Sequence, residues 1–421
     1  MTDSHHPPVG IDALALACPK AFIAMDTLAE ARGVPSAKYT QGLGQEKMAI
    51  ASPVEDTVTL ATAAARRALE TFDVDPQSIG TLIVGTETGV DHSKPVAVYV
   101  HELLGLPERC RTFETKHACY GASAGLTTSL DWIASGRARG QKALVIAADI
   151  ASYGLNTPGE PTQGAGAVAM VIGEHPRLLR IHPNTIGDYT RQVMDFWRPL
   201  YSKYALADGH YSIECYLEAL AGARAAALDG GDEVFDELLA CLYHVPFVKM
   251  AHKAHRKELE CVHHRPFDLD TADDQARFDA SYQRLVAPWL SLNAQVGNIY
   301  TGSLYLALMD LIRQSQASWA DRRVSLFSYG SGCGATYMLG QIAPSAHQWA
   351  GHCDPQADLD QRRRLSVGEY EAMIAAFERA ERAEQLDPSD WGVLEGLAYV
   401  GTQDHQRQYR WLGRDGLTPA V

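Results

Sequence analysis

Cys119 lies in the run Lys116-His117-Ala118-Cys119-Tyr120-Gly121-Ala122-Ser123-Ala124-Gly125, where small residues lead into an apolar stretch, Leu126 to Ile133. That pattern predicts a turn delivering a thiol to the first turn of a buried helix. Unpaired backbone N–H groups and the positive dipole end favour a thiolate there. The plainer alternative is a buried, inert thiol. Glu87 ends the apolar run Ile83-Val84-Gly85-Thr86. A carboxylate at the inner end of a buried strand is costly unless paired or protonated, and desolvation raises its pKa toward neutrality. It then suits a general acid/base, unless it simply reaches solvent. His244 closes another apolar run, and Pro246 ends that strand, which puts the imidazole at a sheet edge facing a cleft. A lone histidine among apolar residues can equally be a satisfied core residue. Together the three make a Cys/Glu/His set suited to acyl transfer through a covalent thioester.

Lys249, Lys253, Arg256 and Lys257 recur at near-helical spacing, with His252 and His255 between them. One positive face on an acidic protein can dock the phosphates of a carrier; the bland reading is a solvated helix face. Cys261-Val262-His263-His264 offers metal-ligand types, but no second Cys/His pair stands at zinc-finger spacing, so no metal is expected. There is no Walker loop, no dinucleotide fingerprint after a strand and no Gly-x-Ser-x-Gly elbow. Nucleotide hydrolysis and dinucleotide redox chemistry therefore have no support.

These side chains need a scaffold, and the chain has the size for one. It has 421 residues, 46% hydrophobic, with a formal net charge of -14. That suffices for two domain-sized halves and argues against nucleic-acid or anionic-membrane binding. Eight scattered cysteines form no disulfide framework and fit a reducing cytosol. Met1 to Pro8 shows no export signal, and no apolar run spans a membrane; the expectation is a cytoplasmic enzyme. Strands are expected over Thr81–Thr86, Ala143–Ala148, Ala165–Ile172, Leu238–Tyr243 and Val324–Tyr329. Helices are expected over Val58–Phe72, Val96–Leu104 and Glu369–Glu384. Alternating strands and helices imply an α/β fold with buried sheets. The order strand, Glu87, helix, Cys119, helix, strand, Gly-rich strand echoes the order strand, His244, helix, Asn298, helix, strand. A pseudo-twofold would bring these polar residues to one centre. The boundary is expected near Gly173 to Arg180, dividing residues 1–175, with Glu87 and Cys119, from 176–421, with His244 and Asn298.

Several segments, in fixed order, resemble the signature of the hydroxymethylglutaryl-CoA (HMG-CoA) synthase family. They are Thr86-Glu87-Thr88, Glu114 to Tyr120, Tyr153 to Ala167, Asp195-Phe196-Trp197-Arg198-Pro199, His244 to Met250, Val296 to Tyr305 and Phe327 to Gly332. The resemblance spans about Gly10 to Gly334 and fades beyond Pro344. It implies a thiolase-like five-layered αβαβα fold of two pseudo-symmetric halves, and a homodimer. It makes Cys119 the nucleophile, Glu87 the general acid/base and His244 the group that polarises the second substrate. Asn298, Tyr329 and Ser331 become lesser substrate contacts, and Lys249 and Lys253 phosphate contacts. The implied reaction joins acetyl-CoA to acetoacetyl-CoA with no metal or redox cofactor. Relatives in polyketide β-branching do the same chemistry on acyl carrier protein, and the active-site motifs separate the two poorly. A ketoacyl synthase would want Cys/His/Asn and no carboxylate. A papain-like hydrolase would want an orienting partner for its histidine, which is not apparent. A thiolase-fold scaffold would not need the intact set. Cys333, after Gly330-Ser331-Gly332, is a departure from the family pattern, expected either to crowd or to modify the site near Ser331.

Overall fold

Val, Ile, Leu and Ala runs flanked by glycine and polar turns fold as strands buried on both faces, which is why they read as continuous rather than alternating. The computed structural model describes residues 7–202, 204–228 and 234–413. Met1–His6, most of the stretch read for an export signal, lies outside the described residues. Nine strands matter here: β1 (Val9–Ala17), β2 (Ile79–Gly85), β3 (Arg111–Thr115), β4 (Lys142–Ile150), β5 (Ala165–Glu174), β6 (Leu179–Thr190), β7 (Leu238–Tyr243), β8 (Arg323–Gly330) and β9 (Gly334–Ile342). They run β7-β8-β9-β6-β1-β5-β4-β2-β3. In the first half β2 lies parallel to β3 and β4, then β4, β5 and β1 alternate antiparallel. The second half repeats the pattern, with β7 parallel to β8 and then β8, β9 and β6 antiparallel. The halves join edge to edge through a short ladder, Val9–Ile11 on Leu179–Ile181.

Six helices complete the layers: α1 (Thr57–Thr71), α2 (Gly121–Ala134), α3 (Gly209–Leu228), α4 (Met250–His263), α5 (Ser303–Arg313) and α6 (Val367–Ala380). α1 packs on β1, β4 and β5, and α3 on β6 and β9, as outer layers. α2 and α5 form the middle layer, tied by the Ser123 and Tyr305 hydroxyls at 2.7 Å. Every residue of α5 from Ser303 to Ile312 is buried, as a helix enclosed on all sides requires. Each Leu, Ile or Met so buried stabilises the fold by about 1.5–3 kcal/mol. The expected strands and helices form within a few residues of their anticipated ends, and β5 turns into β6 between Glu174 and Leu179.

The tail is not an appendage. Arg363 and Arg364 pair with Ala21 and Phe22, and Tyr370 and Met373 of α6 bury against Ile23, Met25 and Leu28. A hairpin, Gly396–Gln403 with Gln406–Leu412, docks on the first half. Its Arg407 Nη2 and Tyr409 hydroxyl each reach Asp56 Oδ2 at 2.7 Å. Asp56 is the N-cap of α1, and its other oxygen accepts from the Thr59 N–H at 2.8 Å.

Candidate active site

Gly85 and Gly121 bring the end of β2 against the start of α2. A Cβ on Gly85 would fall 2.2 Å from Ala122 N and 2.4 Å from its Cα. This approach sets Glu87, two residues beyond Gly85, beside Cys119, two residues before Gly121. The Cys119 thiol donates to Glu87 Oε1 at 3.7 Å. Ala118 just before it holds φ 43, in the left-handed region, which aims the thiol out of a tight turn. Gly85→Ala should push the β2 end off α2. It should lower the thermal midpoint, at a cost of roughly 1–3 kcal/mol, and abolish acylation of Cys119 even where the protein folds. Gly209→Ala, with nothing near the added carbon, should leave both unchanged.

Asp149 at the end of β4 fixes the same turn. Its Oδ1 accepts from the Thr86 hydroxyl at 2.9 Å, Glu87 N at 2.9 Å, Thr88 N at 3.1 Å and the Thr88 hydroxyl at 2.7 Å. Its Oδ2 accepts from Thr301 N of the second half at 3.2 Å, and the Thr301 hydroxyl accepts from Ala122 N at 2.6 Å. Burial and the Asp149 charge push the Glu87 carboxyl far above its usual range. Burial also raises Asp149, but its many donors oppose the rise. The two carboxyls are thus driven apart, and Glu87 is the one that carries a mobile proton near neutrality.

The expectation of a resting thiolate is corrected. α2 begins at Gly121 with Tyr120 as N-cap, so Cys119 precedes the helix instead of lying in its first turn. Burial, then the Glu87 and Asp149 charges, hold the Cys119 thiol well above the ordinary cysteine range. It is therefore a thiol at rest, hydrogen-bonded to Glu87, which is placed to receive its proton as it attacks.

Arg198, from the segment between β6 and α3, donates to the Glu87 carbonyl oxygen and lies 4.0 Å from Glu87 Oε2. Beside it Phe196, Tyr153 and Tyr300 meet edge to face, with centroids 6.0–6.3 Å apart, walling the site with aromatic surface. The Tyr153 N–H donates to Gln163 Oε1 at 2.7 Å, Gln163 Nε2 to the Tyr370 hydroxyl at 3.2 Å, and that hydroxyl to Glu160 Oε1 at 3.2 Å. Arg32 clamps Glu160 through Nε and Nη2 at 2.9 and 2.7 Å. The tail helix α6 thereby steadies the Tyr153 wall.

His244 follows β7, and its N–H donates to the Phe327 carbonyl of β8 at 2.8 Å. Burial pushes the imidazole down to about 3, so it is neutral. Nδ1 is buried with no partner among the described residues, so no carboxylate orients the ring as a hydrolase relay would require. At the end of β8, a Cβ on Gly330 would lie 2.5 Å from the His117 carbonyl and 2.6 Å from Tyr120 Cβ. The strand ends beside His244 thus abut the Cys119 turn from the opposite half.

Two family models cover most of the chain: hydroxymethylglutaryl-coenzyme A synthase N terminal over residues 6–176, and C terminal over 180–261 and 269–409. A hydroxymethylglutaryl-CoA synthase of Enterococcus faecalis is 38% identical over 87% of this chain and 91% of its own length. A solved structure described as MvaS in complex with 3-hydroxy-3-methylglutaryl coenzyme A superposes with a TM-score of 0.90 at 44% identity, covering 97% of this chain and all of that one. The chain belongs to the hydroxymethylglutaryl-CoA synthase family. Its fold is the thiolase-like αβαβα fold. Carrier-protein relatives match less closely. The curacin-pathway HMG synthase in complex with apo donor-ACP gives a TM-score of 0.88 at 32% identity over 96% of this chain and all of that chain. The polyketide 3-hydroxy-3-methylglutaryl-ACP synthase PksG of Bacillus subtilis is 30% identical over 96% of this chain and 99% of its own length.

Within this synthase fold several residues differ from expectation. The Tyr329 hydroxyl is buried and donates to Asp195 Oδ2 at 2.7 Å, while Asp195 Oδ1 accepts from Gly332 N at 2.8 Å. Tyr329 thereby braces the Ser331 turn through Asp195. Asn298 stands two residues before a 3-10 turn, Tyr300–Gly302, that leads directly into α5. Asn298 Oδ1 accepts from Tyr300 N and the Ser303 hydroxyl, both at 2.9 Å, leaving only its amide N–H groups for a ligand. Ser331 is half-buried on the β8–β9 turn packed against His117. Cys333 is buried in the core of the second half, its backbone paired with Arg191. The positive face narrows: His255 is fully buried, and Arg256 and Lys257 both pair with Glu260. Lys249 and Lys253 are exposed, with no ion pair among the described residues. His263 stacks on Phe267 at 5.6 Å. No helix among the described residues is long and apolar enough to cross a membrane.

Asp149, Arg198 and Asp195 went unassigned in the sequence. Asp149 carried the same signal as Glu87, a carboxylate ending an apolar strand.

Proposed function

We propose that the chain condenses acetyl-CoA with acetoacetyl-CoA through acetyl-Cys119 to give HMG-CoA and CoA. The observation that carries this is the Cys119 thiol donating to a buried Glu87 whose carboxyl is raised toward neutrality. Cys119 sulfur attacks the acetyl thioester carbon, its proton passes to Glu87, and CoA leaves as the thiol after reprotonation. Glu87, ionised again, removes a methyl proton from acetyl-Cys119. The resulting enolate carbon bonds to the ketone carbon of acetoacetyl-CoA. The neutral His244 imidazole donates a hydrogen bond to the alkoxide as it forms, and the proton taken up by Glu87 is returned to give the tertiary hydroxyl. Water then cleaves the Cys119 thioester, releasing HMG-CoA and restoring the thiol. A thioester supplies both the activated acyl group and the acidified carbon, so the scheme calls on no metal or redox cofactor.

Lys249 and Lys253, the exposed cations one turn apart on the helix after His244, are assigned to the CoA phosphates. Asn298 and Ser331 are assigned as lesser substrate contacts. The two halves divide near residue 175, each supplying part of the site. The proposal includes a cytoplasmic homodimer, with the open outer edge of β3 as the natural seam. Free CoA is favoured over a carrier protein by the closer likeness to the Enterococcus synthase. The test is the rate of Cys119 acetylation from acetyl-CoA against acetyl-carrier protein. Acetyl-CoA should be faster, and Lys249→Gln with Lys253→Gln should raise its KM roughly ten-fold at nearly constant kcat. Faster transfer from the carrier protein would move the assignment to polyketide β-branching.

A further inference from the structure

We propose that Arg198 is a positioning residue for Glu87, an arm from the second half that holds this side chain and sets the pH at which it accepts a proton. The inference rests on the acid/base reading of Glu87.

The arm is built, not incidental. Asp195 anchors its base through Tyr329, Gly332 and the Ser212 hydroxyl at 3.1 Å. Phe196 packs edge to face on Tyr153 and Tyr300, and Phe196 and Trp197 pair as a short strand with Leu206 and Ala207. Arg198 emerges from these fixed points and reaches Glu87 twice, at its carbonyl oxygen and beside its carboxylate. Glu87 is thereby held at both ends of its backbone, its N–H by Asp149 and its carbonyl by Arg198.

The groups facing the Glu87 carboxyl come from every element around it. They are the Cys119 thiol before α2, Asp149 on β4, Arg198 on the arm, and the Tyr153 and Tyr300 rings. Burial and Asp149 favour the protonated form, and Arg198 opposes both. Without Arg198 the carboxyl would keep its proton to higher pH, leaving less carboxylate at neutrality to take one from the acetyl methyl. A guanidinium placed there keeps enough of Glu87 ionised to act as a base while leaving it basic enough to be useful. The charge also arrives from the opposite half, so the base is competent only when the segment after β6 is seated.

The test is hydrogen exchange of the acetyl-CoA methyl group with deuterium oxide, followed by mass spectrometry across pH with no second substrate. Arg198→Met should move the exchange midpoint upward by about one pH unit, lowering exchange at neutrality roughly ten-fold. The yield of acetyl-Cys119 should stay within about two-fold of wild type. Arg198→Lys, which keeps a charge on a similar reach, should return the midpoint most of the way. A midpoint in Arg198→Met equal to that of wild type overturns the proposal, whatever the absolute rate. So does an Arg198→Lys midpoint no nearer wild type than that of Arg198→Met. Glu87→Gln separates the two levels. If it exchanges at the wild-type rate, the acid/base reading of Glu87 fails. If it is silent while Arg198→Met keeps the wild-type midpoint, only the arm is wrong.

Discussion

Cys119→Ser leaves no acyl-enzyme: incubation with radiolabelled acetyl-CoA, quenching in acid and peptide mapping should find no label on the peptide around residue 119. The expectation follows from the site. The Cys119 thiol donates to Glu87, whose carboxyl is raised far above the usual glutamate range and is therefore a stronger base for that proton. A serine hydroxyl is several orders of magnitude less acidic, and among the described residues no histidine or lysine hydrogen-bonds the residue-119 side chain to close that gap. Condensation should fall by at least roughly two to four orders of magnitude, the usual loss when a nucleophile or its base is removed. Other cysteines are no substitute. Burial is the largest cause raising Cys18, Cys241 and Cys353, and none of the three thiols hydrogen-bonds a carboxylate among the described residues. Stoichiometric label on Cys119→Ser would move the nucleophile elsewhere and sink the mechanism.

Much of this site was legible because its residues sit where local rules change. Glu87 and His244 each end an apolar strand, and Cys119 follows a small-residue turn, so both the strands and the polar exceptions at their ends could be read directly. The repeated order of elements likewise anticipated two half-sheets of matching pattern. What stayed hidden depends on contacts across the halves. Arg198 is 111 residues from Glu87 in sequence, and its motif says nothing about which carbonyl it meets. The resemblance implied a substrate contact at Tyr329, but nothing in the sequence showed that its hydroxyl meets Asp195, 134 residues away. The thiolate expectation failed for a related reason. A helix start close in sequence was weighed, but the negative charges of Glu87 and Asp149, brought in by other strands, were not. The resemblance was read as fading beyond Pro344, yet the family model runs to residue 409, and the tail places the Tyr370 hydroxyl between Gln163 and Glu160.

Glu87→Gln should split the reaction at its second step. Acetyl-Cys119 still forms, within roughly ten-fold of the wild-type rate, because the departing CoA thiolate can itself take up the thiol proton. The methyl group then finds no base. Asp149 cannot replace Glu87, since its carboxylate is committed to donors from Thr86, Glu87, Thr88 and Thr301 and is held by them in one orientation. Overall condensation should therefore drop by roughly two to four orders of magnitude, and acetylated protein should accumulate, visible by intact mass. In the wild type the methyl exchange rate should rise with pH, since the ionised carboxylate is the active form and its pKa is raised. Its midpoint should lie well above the ordinary glutamate value of about 4.3. Glu87→Gln should erase that rise altogether. A variant that condenses normally would show that the carboxylate is dispensable and return the chain to decarboxylative, ketoacyl-synthase-like chemistry. A variant that fails even to acetylate would make Glu87 the obligatory base for the thiol as well, and the first proton transfer, rather than the second, would be its principal task.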